Sequence, residues 1–221
     1  MAIPTRLGKL GGMETSCKSD DARRFWEERY RSAERVWSGR VNARLAEVAA
    51  DLPPGRALDL GCGEGADALW LAERGWRVVA VDVSATALQR AAEAASTRNL
   101  AGCINSQRHD LNETFPDGTF DLVSAQYFHS PARLDREAVL RRAAGRVNPG
   151  GALLIVDHGA VPPWAPQHDH SFLGIEQVIA ALGLDAGAWT RVRTESVDRE
   201  MVFDGQTATV ADNVIALRRA E

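Results

Sequence analysis

Three glycines and two aspartates carry the first chemical signal in the chain. The stretch Ala57-Leu-Asp59-Leu-Gly61-Cys62-Gly63-Glu-Gly65-Ala66 sets glycines between an apolar run and a helical one. Glycine lets the backbone turn sharply there and lets a ligand lie against it. Asp82 ends the next apolar run, about 20 residues on, where a carboxylate can accept hydrogen bonds from both hydroxyls of a ribose. Asp59 precedes the loop. A carboxylate there would repel a pyrophosphate packed on the glycines, but it suits a ligand carrying an ammonium and a sulfonium. The segment Gly61-x-Gly63-x-x-Ala66 also satisfies the dinucleotide fingerprint, so an NAD(P)-dependent oxidoreductase competes. Against it stand Asp59 and the third glycine, one position early at Gly65. A turn serving only strand–helix packing is the plainest reading of the glycines, and the two acids weigh against it. Cys62 has no base nearby in sequence, so its backbone is the part expected to act.

The histidines form the second signal. His109, His129 and His158 each follow an expected strand, and His168 and His170 lie in the loop Trp164-Ala-Pro-Gln-His-Asp-His170. In an open α/β sheet the ligand crevice lies outside the carboxyl ends of the strands. His129, His158 and one of His168 and His170 are therefore expected to converge over the reacting group. A histidine of pKa about 6.5 suits proton removal from a phenol or a thiol. Three roles stay open: base or orienter of an acceptor, polar pocket lining, or metal ligands together with Asp157 or Asp169. Trp164, with Pro162, Pro163 and Pro166, suggests a shaped lid over an apolar, aromatic acceptor.

Strands alternating with helices must hold these residues in place. Arg56–Leu60, Arg77–Val81, Cys103–Arg108, Phe120–Ala125 and Ala152–Val156 read as strands. Ala66–Arg74, Ser84–Ser96 and about Leu134–Val147 read as helices, with Ser84 as a cap and Asn148-Pro-Gly-Gly151 as a turn. Such alternation means crossover units and a parallel sheet. After a helix near Ile175–Leu182, polar-alternating strands near Thr190–Ser196 and Thr207–Leu217 predict an antiparallel pair at the sheet edge. Helices from about Asp20 or Asp21, and over about Val41–Ala50, precede the sheet. Residues 1–20 read as a flexible tail, and 21–221 as one domain with cover helices over 21–51 and an acceptor-side loop over 160–175.

Composition bounds the rest. The 221 residues carry 26 basic and 30 acidic side chains, a net charge of −4. That argues against a nucleic-acid binder, which needs a basic face. No apolar run suits a membrane helix or a signal peptide, so no membrane partner and a cytoplasmic, reducing location are expected. Three cysteines make no disulfide framework and fit no zinc spacing, so no metal site is assigned.

The motif Asp59-Leu-Gly61-Cys62-Gly63-Glu-Gly65 resembles the first motif of the class I methyltransferases that use S-adenosylmethionine. Val81-Asp82-Val83-Ser84 is similar to their ribose-binding strand end, and His109-Asp110-Leu111 to the pair that meets adenine. Phe120-Asp-Leu-Val-Ser-Ala-Gln126 resembles their fourth strand. Leu58–Gly65 with Leu71-Ala-Glu-Arg-Gly-Trp76 looks most like the small bacterial tellurite-resistance and thiopurine methyltransferase-like group. Phe25-Trp-Glu-Glu-Arg-Tyr30 and Trp37 resemble cofactor covers of that group, although at helical spacing they suit a core equally well.

The resemblance implies a Rossmann-like three-layer α/β sandwich. Its seven-stranded sheet would be mostly parallel, with the last strand antiparallel. It implies S-adenosylmethionine as cofactor, S-adenosylhomocysteine as product and a small-molecule acceptor. Asp59, Gly61, Cys62, Gly63 and Gly65 would cradle the methionine, Asp82 and Val83 the ribose, and Asp110 and Leu111 the adenine, with Trp37 and Gln126 alongside. Tyr30, Tyr127, Trp164, His168 and His170 would contact the acceptor, and His129 and His158 would handle it chemically. Ala125-Gln-Tyr-Phe-His129-Ser lacks the Asn/Asp-Pro-Pro-aromatic signature of amino-methyltransferases. No Pro-Cys nucleophile for cytosine is present, and Gln126 or Tyr127 stands where metal-dependent catechol enzymes need an acid. A non-catalytic binder of the same cofactor is the remaining alternative.

Overall fold

The computed structural model describes residues 17–160, 172–185, 187–203 and 205–221. Its elements in chain order are α1 (Cys17–Arg31), α2 (Ala43–Ala49), β1 (Arg56–Leu60), α3 (Ala66–Glu73), β2 (Arg77–Asp82), α4 (Ala85–Thr97) and β3 (Ile104–Arg108). There follow β4 (Phe120–Gln126), α5 (Arg136–Ala144), β5 (Val147–Ala160), α6 (Ile175–Leu182), β6 (Trp189–Phe203) and β7 (Gln206–Arg219). The seven strands form one sheet in the order β3-β2-β1-β4-β5-β7-β6. β1 to β5 pair in parallel, and β7 runs antiparallel to both β5 and β6. The expected Rossmann-like sandwich and its reversed last strand are therefore present.

Period-two alternation builds the three layers. Leu153 and Ile155 of β5, with Ile215 and Leu217 of β7, join a core under α5 and α6. Their neighbours Leu154, Val156, Val214 and Ala216 join a second core under α2 and α3. Both faces are covered, so the central strands read as continuous apolar runs.

Side chains set the helix starts. Ser84 caps α4, its hydroxyl accepting the Ala87 N–H at 3.2 Å, and Asn42 caps α2. Several boundaries differ from the sequence expectation; β6, for one, runs on to Phe203. α1 begins at Cys17, inside the segment read as tail, and Asp21 pairs with Arg24 one turn on (2.9 Å) instead of capping. β5 runs through Asn148–Gly151, read as a turn, because a bulge lets Phe120 face Val147 and Leu122 face Ala152. Among the described residues no helix is long and apolar enough to cross a membrane.

Candidate active site

The strand ends open into a cavity of about 1020 Å³. That is room for a large cofactor and a small partner together. The glycine loop and the ends of β1 and β2 form one side, and the ends of β4 and β5 another. α1, the segment after it and the β6–β7 hairpin close over the top.

The loop is shaped by its glycines. Gly61 and Gly63 have φ of +65° and +54°, a region other residues enter at a cost of about 1–2 kcal/mol. A Cβ on Gly63 would lie 2.9 Å from the Tyr30 hydroxyl and 3.2 Å from the Trp37 ring. Gly65 does not line the cavity. It begins α3, and a Cβ there would meet the Ala91 Cβ of α4 at 2.7 Å. The missing side chain lets α3 and α4 approach there. The Cys62 N–H donates to the Val81 carbonyl (2.9 Å). Burial, with Asp82 and Asp59 nearby, pushes its thiol pKa well up, so its backbone is the part in use.

Acids stand on neighbouring strands in the order β1, β2, β3. Asp59 is 2% exposed, and its Oδ2 has no hydrogen-bond partner among the described residues. Burial, then the charges of Asp67 and Asp82, raise its pKa well above the ordinary value. Asp82 accepts the Gly63 N–H (3.0 Å) and the Ser84 N–H (2.9 Å). Burial raises it to about 6, against the pull of those N–H groups. Asp110 follows β3. Its Oδ1 accepts the Asn112 N–H at 3.0 Å and Nδ2 at 2.9 Å, while its buried Oδ2 has no partner. Gln126 donates Nε2 to the Ser124 hydroxyl (2.8 Å) and leaves Oε1 unpaired. Val83 and Leu111 complete this side. Asp67, which no motif marked, belongs here too: it accepts the Asn42 N–H (2.7 Å), and burial raises it to about 6.

The cover is tied down by acids of its own. The Trp37 indole donates to the Tyr30 hydroxyl (2.9 Å), and burial raises the Tyr30 pKa. Glu64, within the glycine loop, accepts the backbone N–H groups of Val36 (3.2 Å) and Trp37 (3.0 Å) and pairs with Arg90 (2.8 Å). Glu27 of α1 accepts the hydroxyls of Ser84 (2.7 Å) and Thr86 (2.6 Å) at the start of α4.

The side of the cavity at the ends of β4 and β5 is aromatic. Tyr127, at φ +47°, stacks on His158 with ring centroids 4.6 Å apart. Its hydroxyl donates to Asp212 (2.7 Å), and burial raises its pKa to about 12. Arg199 Nε donates to the same carboxylate at 2.9 Å. His129 lies 6.3 Å from the His158 ring, and Phe172 lies 5.4 Å from His129 and 5.2 Å from His158. His129 Nε2 meets Asp157 Oδ1 at 3.1 Å, and Arg136 donates to the same oxygen at 2.6 Å. His158 makes no hydrogen bond to the described residues, and burial lowers its pKa.

Residues 57–151 match the methyltransferase domain family. The glycine loop, Asp59, Asp82 and Asp110 all fall within the match. Those residues form a methyltransferase domain. Among similar proteins, 2-heptyl-1-hydroxyquinolin-4(1H)-one methyltransferase of Mycobacteroides abscessus is 38% identical over 114 residues, covering 49% of each chain. Ribosomal RNA small subunit methyltransferase C of Alcanivorax borkumensis is 32% identical over 112 residues, covering 49% of this chain and 34% of that one. This chain thus spans about half of the one curated relative and a third of the other. The crystal structure of TehB from Haemophilus influenzae superposes with a TM-score of 0.67 at 20% identity, over 82% of this chain and 63% of that one. At that identity it shows the fold.

The fold brings most of the expected residues to one cavity. Trp37, Asp59, Gly61, Cys62, Gly63, Asp82, Val83, Asp110, Leu111 and Gln126 line it, and Tyr30, Tyr127, His129 and His158 also reach it. Trp164, His168 and His170 lie outside the described residues, as does Asp169. His109 borders the cavity, but its ring nitrogens are engaged by Thr114 (2.9 Å) and Gln107 (3.1 Å). Among the described residues no three His, Cys, Asp or Glu side chains gather as metal ligands.

Proposed function

We propose that the protein transfers a methyl group from S-adenosylmethionine to a small-molecule acceptor at an O, S or N nucleophile, releasing S-adenosylhomocysteine. The unpaired Asp59 and Asp110 carboxylate oxygens, set either side of Asp82, carry this reading. Adjacent strands lie about 4.8 Å apart, so the three acids span about 10 Å along the sheet edge. That row matches a cation, a ribose and an adenine amino group in sequence. A nicotinamide dinucleotide would instead bring its pyrophosphate to the loop above Asp59, where the carboxylate repels it.

When bound, the sulfonium supplies an electrophilic methyl group and a neutral leaving group, so no acid is needed for departure. The residues of the chain then have to bind, align and exclude water. Gly61 and Gly63 offer backbone at close approach, Asp59 faces the charged end, Asp82 the ribose hydroxyls and Asp110 the adenine amino group. Tyr30 and Trp37 close the cover. Tyr127, His158 and Phe172 form a wall suited to a flat acceptor, with His129 beside it.

A small acceptor is favoured over nucleic acid by the net charge of −4 and this aromatic wall. It also agrees with the quinolone named for the Mycobacteroides relative. The unpaired thiols Cys62 and Cys103 suit a reducing cytoplasm. Calorimetric titration with S-adenosylhomocysteine tests the cofactor, and absence of heat at millimolar ligand overturns it. Product release with a panel of phenols, thiols and heterocyclic amines tests turnover. A non-catalytic binder would take the cofactor and methylate none of them.

A further inference from the structure

Resting on that reading, we propose that Asp157, held by Arg136, is the positioning residue that fixes His129 as the base for an acceptor reacting through a hydroxyl. Asp157 follows Val156 on β5 and is 2% exposed, yet it is fully engaged. Arg136, at the start of α5, donates to both of its oxygens, and its Nε donates to the Phe128 carbonyl (3.0 Å). The guanidinium thus ties α5, the segment after β4 and β5 together at one point.

The protonation pattern follows from this geometry. Burial opposes the charge on Asp157, but the hydrogen bond from His129 and the Arg136 charge outweigh it and hold the carboxyl below its ordinary range. An ionised carboxylate only accepts hydrogen bonds. The proton on the His129 ring therefore sits on Nε2, facing Asp157, and Nδ1 carries the lone pair. Nδ1 has no partner among the described residues, and the ring lines the cavity beside His158 and Phe172.

His158 is built differently. No carboxylate among the described residues hydrogen-bonds to it, it stacks on Tyr127, and burial with the nearby His129 and Arg199 presses it toward neutrality against the opposing pull of Asp212 and Asp157. It suits contact with an aromatic ring, whereas His129 has a partner for the positive charge it would acquire. In the step, the acceptor O–H proton passes to His129 Nδ1. The oxygen lone pair forms the new O–CH₃ bond, and the S–CH₃ bond electrons stay on sulfur. The resulting imidazolium donates from Nε2 to Asp157.

Asp157→Asn separates orientation from packing. Arg136 can only donate, so the Asn carbonyl turns toward it and the Asn amide toward His129. The amide donates to Nε2 and drives the ring proton onto Nδ1, which removes the base. Nitrogen-15 NMR of labelled histidine, with His129 assigned through His129→Gln, reads the tautomer in the free protein. We expect Nε2–H in the wild type and Nδ1–H in Asp157→Asn. An Nδ1–H tautomer in the wild type, or no change on substitution, overturns the proposal. Turnover is the second arm: methylation of a phenol should fall about 100-fold or more in kcat with little change in KM. A matched thiophenol, already ionised, should lose less than about fivefold, and equal losses overturn the base role. Arg136→Lys keeps the charge without the fork, and should show a mixed tautomer if Asp157→Asn folds poorly. S-adenosylhomocysteine titration keeps the two readings apart. Heat with the wrong tautomer defeats this proposal alone, and the right tautomer without heat defeats the cofactor reading.

Discussion

Asp59→Asn should make the protein more stable and a poorer cofactor binder at once. Asp59 is buried, its Oδ2 has no partner, and Asp67 and Asp82 lie close enough to repel its charge. Asparagine keeps the shape and removes the charge. The amide leaves a polar group unpaired in the same place, so the gain comes from the lost charge alone. A buried unsatisfied group costs about 1–3 kcal/mol and more when charged, so where Asp59 is ionised the ligand-free variant should gain on the order of 1–3 kcal/mol. For a chain of this size the gain corresponds to roughly 2–12 °C in Tm. The size of the gain depends on pH. The folded-state pKa is raised, so Asp59 detracts from stability only above the ordinary value of 3.8. Below that value the residue is protonated in both folded and unfolded chains, and the melting curves should converge. The gain should grow as pH rises and level off above the raised value.

Binding moves the other way. A hydrogen bond involving charged groups contributes about 1.5–3 kcal/mol, so the Kd for S-adenosylmethionine should rise about 10- to 100-fold. Wild-type Asp59 must be ionised to face a cation, so wild-type affinity should improve with pH, while the variant should lose that component of the pH dependence. Scanning calorimetry and isothermal titration over pH 4–8 supply both readouts. A variant that melts lower at pH 8, or binds the cofactor as tightly as the wild type, would refute the assignment of Asp59 as an unpaired acid awaiting a cation.

Other substitutions probe separate parts of the cavity. Asp110→Ala should weaken binding of S-adenosylmethionine by several-fold through loss of the Oδ2 acceptor. It should weaken much less an analogue whose adenine amino group is replaced by hydrogen, as titration of both ligands would show. Gly63→Ala should cost about 1–2 kcal/mol of stability for its left-handed backbone. It should also push Trp37 off Tyr30, visible as a shift in tryptophan fluorescence and a higher cofactor Kd. Glu64→Gln should loosen the cover that it holds through Val36 and Trp37, speeding cofactor release in stopped flow while leaving the unfolding free energy within about 1 kcal/mol. Tyr127→Phe removes a hydrogen bond to Asp212 and should cost about 1 kcal/mol on denaturant unfolding. It should leave cofactor affinity unchanged.

What the sequence made legible follows the physics that produces sequence patterns. Strands β1, β2, β4 and β5 are buried on both faces and announce themselves as apolar runs, whereas the edge strand β3 is mostly polar and half-buried, and Asp59, Asp82 and Asp110 stand at fixed offsets from β1, β2 and β3. The row of acids could be read because each is tied to a strand. Asp67 and Glu64 were not placed, because in sequence both look like ordinary charges at the start of a helix, where acids are favoured by the helix dipole anyway. Their partners are backbone N–H groups of residues 36, 37 and 42, far away in the chain. Backbone donors leave no residue type to read. Asp212 was hidden differently. It sits in a strand read as polar-alternating, yet it is buried, because Arg199 and Tyr127 reach it across the hairpin and from β4. The histidines show the same limit. Position at the sheet edge was correct for His109, His129 and His158, but their roles are divided by their neighbours. His109 has both nitrogens occupied, His158 is a stacked ring and His129 faces a carboxylate. A strand end tells where a side chain stands, whereas its proton is set by whatever stands opposite, and for His129 that is an aspartate 28 residues on, pinned by an arginine from a different helix.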